Sequence, residues 1–189
     1  MRKLWILLYL VLCQDAAAGI MLHLGFNYEE EKKEDSGTPA NLQTTRQTLN
    51  VGCGFVMDTG LFIGLKYFQK NIIADQSSTS GSVTTTTTTK ELTTGSGPTL
   101  GFYTTNGLVA QASFLLFNPE HEDSTTLYSG GEAQIYDIAY RFSVGEFSFG
   151  PQLTFSSFSY RKADTNGIKS DINISESHML PMLAFWLGF

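Results

Sequence analysis

Three charged side chains interrupt an otherwise uncharged alternation: Lys66, Asp137 and Arg141. Around Lys66, the residues Leu61, Ile63, Leu65 and Tyr67 alternate with Phe62, Gly64, Lys66 and Phe68. Around the other two, Tyr136, Ile138, Tyr140, Phe142 and Val144 alternate with Asp137, Ala139, Arg141 and Ser143. In each stretch the charge falls on the less oily phase. A buried ion costs several kcal/mol to desolvate unless it is paired. Opposite charges on one face therefore predict an internal ion-pair network, with Glu29 and Lys70 nearer its rim. Such a network either ties walls together or lines a gate.

Other residues invite a chemical reading. His178 lies among Ser175, Glu176 and Ser177, which superficially supplies a Ser/His/acid set. Nucleophilic catalysis needs the imidazole within hydrogen-bond reach of the nucleophile. The phase of the strand turns His178 inward, so no catalytic residue and no enzyme activity are expected. Glu120, His121, Glu122 and Asp123 form an acidic cluster that could attract a divalent cation, but a solvated acidic loop explains it as well. No metal site and no cofactor are expected. His23 reads as a hydrogen-bonded filler on the inner phase. Cys53 is the one cysteine beyond residue 18, so no intrachain disulfide is expected there, and it acts as a small hydrophobe.

These residues must be positioned by strands. Eight stretches alternate with period two. They centre on Ile20–Tyr28, Leu49–Met57, Leu61–Phe68, Thr99–Tyr103, Leu108–Leu116, Tyr136–Val144, Phe147–Ser156 and His178–Phe189. Tight turns join some of them: Asp58-Thr59-Gly60, Thr105-Asn106-Gly107 and Gly145-Glu146, with Gly or Asn where a positive φ is needed. The other connections read as long polar loops, roughly over residues 30–45, 76–96, 119–130 and 161–171, the second including the threonine run 84–89. Short and long connections alternate strictly. The apolar phase carries almost no charge, whereas the opposite phase holds Asn50, Lys66, Asp137, Arg141, Gln152, Thr154 and Ser156. A soluble sandwich would bury its oil; here the charged phase reads as the inside.

Composition limits the alternatives. The 189 residues are 42% hydrophobic, 13% aromatic and only 16% charged, with a net charge of −6. That charge argues against a nucleic-acid partner, which calls for a basic surface. Arg2 and Lys3 precede ten apolar residues from Leu4 to Cys13, and Ala16 and Ala18 follow. This predicts a cleaved secretory signal over residues 1–18, too short to span a bilayer. Residues 19–189 then form one domain.

The chain ends on Phe189, with Leu187, Phe185 and Leu183 on the same face. With eight dyad strands and a secretory signal, this resembles the small eight-stranded outer-membrane barrels of the OmpA transmembrane domain, OmpX and opacity-protein type. The resemblance implies an all-β, antiparallel, up-and-down transmembrane β-barrel with short periplasmic turns and long extracellular loops. It implies residence in the outer membrane of a Gram-negative bacterium, as a monomer among outer-membrane lipids and lipopolysaccharide. It makes Phe189, Leu187, Phe185 and Leu183 the terminal signal read by the barrel assembly machinery. The expected role is structural or surface-interacting, in adhesion or envelope integrity. The alternatives are a narrow channel for small or hydrophobic solutes and, behind it, a lipid-modifying enzyme.

Overall fold

The structure, a computed structural model, describes residues 19–34, 40–80 and 83–188. The expected signal segment and Phe189 lie outside the described residues. Eleven strands account for nearly everything within them: β1 (Gly19–Glu34), β2 (Ala40–Val56), β3 (Leu61–Ser80), β4 (Val83–Tyr103), β5 (Leu108–Leu115), β6 (Phe117–Asp123), β7 (Thr126–Ser129), β8 (Glu132–Tyr140), β9 (Phe142–Val144), β10 (Phe147–Thr165) and β11 (Ile168–Gly188).

Every pairing is antiparallel. The path β1-β2-β3-β4-β5-β8-β10-β11 closes on itself, because β11 pairs back to β1, so eight strands form a ring. Strands β6 and β7 continue the wall above β5 and β8, linking β4 to β10. The break at Leu116 is followed by Asn118 with φ of 48°, and the break before β8 contains Gly130 with φ of 70°. Both re-aim the chain without ending the wall.

The expected long polar loops are a correction. Residues 30–34, 40–45, 76–80, 83–96, 119–123, 126–129, 161–165 and 168–171 are strand, and the polar segments extend the ladders. Thr84–Thr89 pair with Thr79–Ala74. Threonine is β-branched and favours a pleated chain, so a threonine run is strand where a neighbour offers a ladder. Alternation in the sequence appears only where one face of a strand is dry. Above that level both faces are wet, and nothing selects alternate apolar residues.

Burial inside the ring runs in layers. One apolar layer holds Met21, Phe62, Tyr103, Val109, Ala139, Ala184 and Trp186. Another holds Phe68, Leu115, Ala133, Ile135, Phe158 and Tyr160. Order along β3 and β8 places a polar belt between them, containing Lys66 and Asp137. The outer face is the reverse. Leu22, Leu24, Phe26, Phe55, Leu65, Leu100, Phe102, Ile138, Phe149, Met179 and Leu183 are all exposed there.

Candidate functional site

The belt is built from inward positions of neighbouring strands. Period two on β3 turns Lys66 inward between Phe62 and Phe68, and the same period on β8 turns Asp137 inward. Their side chains form an ion pair, 0% and 1% exposed. Lys66 Nζ also donates to Gln111 Oε1 at 2.9 Å. The second carboxylate oxygen of Asp137 accepts from Thr154 at 2.6 Å, Gln152 at 3.0 Å and Asn50 at 3.3 Å. Charge-assisted bonds of this kind offset the desolvation of a buried carboxylate.

Gln152 extends the network. Its Oε1 accepts from His23 Nε2 at 2.8 Å. An amide oxygen has no proton to give, so the His23 tautomer carries its proton on Nε2. The His23 ring stacks on Trp186 with centroids 5.3 Å apart. On the other side, Gln111 Nε2 donates to Tyr103 OH at 2.7 Å. The belt therefore connects β1, β2, β3, β4, β5, β8 and β10. His23 Nδ1, Asn50 Oδ1, Ser156 Oγ and Trp186 Nε1 are buried there without a protein partner.

Not all the charges expected in this network join it. Lys66 and Asp137 do. Arg141 sits at the break between β8 and β9, and its guanidinium lies over the Tyr103 ring at 5.4 Å, a cation–π contact. The hairpin end fixes that placement, because the backbone N–H of Arg141 donates to Gly107 O. Glu29 is 3.6 Å from Arg46, which also reaches Glu31 at 3.3 Å. Lys70 is buried and donates to His178 Nε2 at 2.7 Å. The rim is thus a separate constellation from the belt. Sequence reading did not pair Lys70 with His178, or Arg46 with Glu29 and Glu31, because these contacts depend on the stagger of the closed ring.

The serines beside His178 in sequence point away from it. Ser177 and Ser175 are exposed on the outer face, and Ser177 bonds Ser157 at 3.4 Å. His178 is engaged from inside by Lys70, with Glu176 Oε2 at 3.5 Å from the same nitrogen. No hydroxyl is presented to the imidazole in these contacts. The acidic cluster is likewise split. His121 and Glu122 lie on β6 rather than in a loop; His121 is buried and bonded to Thr93 at 2.9 Å, while Glu122 is exposed. Among the described residues, no group of three or more His, Cys, Asp or Glu is placed to hold a metal ion. Leu187, Phe185 and Leu183 follow one another on the outer phase of β11.

No protein-family model matches the chain, and no curated protein sequence matches it either.

Proposed function

We propose that this chain is an integral outer-membrane β-barrel protein of a Gram-negative bacterium, with a structural or surface-interaction role. The observation that carries the reading is the inverted wall: a fully buried ion pair inside the ring and a continuous coat of exposed Leu, Ile, Val, Phe and Tyr outside. A contiguous exposed apolar surface of this kind marks contact with lipid or another apolar partner. Where the ring is paired all round, up to Phe26↔Leu183 on the β1–β11 seam, it leaves no unpaired backbone edge toward hydrocarbon, which is the condition for strands to cross a bilayer. Dyad strands with an oily outside and a polar inside match the transmembrane barrel pattern.

In this reading the outer coat contacts outer-membrane lipids, and the polar strand extensions reach toward lipopolysaccharide and the cell surface. Leu183, Phe185, Leu187 and Phe189 serve the assembly machinery. The protein works as a monomer and performs no bond chemistry. Two apolar layers and the Lys66–Asp137 belt fill the interior, which favours an anchor for the surface strands over a channel. An eight-stranded barrel is about wide enough for side chains alone to fill it.

Planar-bilayer recording tests the choice. Purified protein is expected to give no discrete openings. Steady openings that vanish in Asp137→Asn would replace the anchor with a narrow channel.

A further inference from the structure

The ring is not stitched along its whole height. The β1–β11 ladder runs only from Met21↔Gly188 to Phe26↔Leu183. Beyond it, β1 continues to Glu34 and β11 extends back to Ile168 without pairing to one another. Pro181, two residues past the last pair, has no N–H to offer a ladder. Two side-chain bonds take over there. Asn27 Nδ2 donates to Pro181 O at 2.7 Å, on the seam itself. Lys70 Nζ donates to His178 Nε2 at 2.7 Å, joining β11 to β3 across the opening, with β1 and β2 between them in the ring.

We propose that the Lys70–His178 contact is an acid-released latch that holds the upper β1–β11 seam closed. A lysine ammonium only donates, so His178 Nε2 must offer a lone pair and the ring must be neutral. A proton on that nitrogen removes the acceptor and sets two cations side by side. Glu176 Oε2, 3.5 Å from the same nitrogen and on the same strand, then becomes the partner of the imidazolium. Protonation thus exchanges a bond to the opposite wall for a bond within β11.

The surroundings are mixed in charge. Acting on this pair are Arg46 on β2, Glu91 on β4, His121 on β6 and Glu176 on β11; Glu29 on β1 pairs with Arg46, and Tyr160 on β10 neighbours Glu176. Lys70 and Glu176 act on His178 with opposite sign, one from the far wall and one from its own strand. Lys70 lies above the oily coat, flanked by Gln69 and Asn71, and His178 lies at its upper edge, between Ser177 and Met179. Release therefore requires conditions acid enough to protonate an imidazole beside a lysine. Freed Lys70 keeps Glu91 as a neighbouring counter-charge.

Nitroxide labels on either side of the seam test this. Lys32→Cys on β1 and Ser175→Cys on β11 are both exposed, and Cys53→Ser removes the remaining cysteine of the mature chain. Distances would be measured by pulsed electron resonance in detergent micelles at about pH 7.5 and about pH 4.5, either side of the histidine range. The acidic sample is expected to show a longer and broader distribution. His178→Gln keeps an acceptor but cannot be protonated, so it is expected to stay short at both pH values. Lys70→Met is expected to be long at both. An unchanged wild-type distribution, or a His178→Gln variant that widens like wild type, would overturn the proposal.

Discussion

At the residue scale, the Lys66–Asp137 pair sits at the centre of the ring and outside the reach of solvent. Removing one partner leaves the other charged and alone in the interior, and such changes cost about 3–5 kcal/mol. Asp137→Ala is therefore expected to lower the unfolding free energy by about that amount, read by urea titration in lipid vesicles. The double change Lys66→Met with Asp137→Leu removes both charges and is expected to recover most of the loss; a double variant as weak as Asp137→Ala would count against the pair as the cause. His178 gives a second prediction. In the folded protein its ring is neutral, because Nε2 accepts from Lys70. Its contribution to stability is complete above about pH 6.5 and declines as pH falls below that, because the unfolded chain takes up a proton that the bond to Lys70 keeps off the folded one. The urea midpoint should fall over that window in wild type and less in His178→Gln. Lys66 and Asp137 were legible as inward charges from phase alone. Their pairing with each other, and the placement of Arg141 over Tyr103 instead, required the register of β3, β5 and β8.

At the element scale, the wall depends on close approach as well as on oil. Gly64 faces Gly54 across β2 and β3, with the Phe62 ring against both. A Cβ at Gly64 would lie 2.3 Å from Cys53 O and 2.7 Å from Phe62 Cζ. Gly64→Val is expected to cost about 1–3 kcal/mol by overpacking, and to slow assembly into vesicles followed by gel mobility. A fully stable variant would show that the two strands have slack there. The elements were unevenly legible. Strand stretches with one dry face declared themselves by period two. The extensions of β3 and β4 did not, because Thr84–Thr89 are exposed on both faces. The β10–β11 connection was legible in principle: Asn166 and Gly167 both have positive φ, at 53° and 86°, the two-residue turn that an Asn-Gly dipeptide favours. Surrounding polar residues disguised that dipeptide as part of a loop.

At the scale of the whole molecule, an average composition conceals two opposite surfaces. Alternation sends Lys66, Asp137, Gln152 and Thr154 inward and Leu65, Ile138, Leu153 and Phe155 outward, so a chain only 42% hydrophobic can present an oily exterior. The interior is filled in layers, and the strands rise beyond the oily zone as polar ladders. The proposed function requires that exterior to meet lipid. Fractionation of the expressing bacterium tests this most directly, using alkaline carbonate washing of the membranes followed by flotation and gel mobility with and without boiling. The account predicts a carbonate-resistant protein that floats with the outer membrane and changes mobility on heating; a mature protein found soluble in the periplasm without detergent would contradict it.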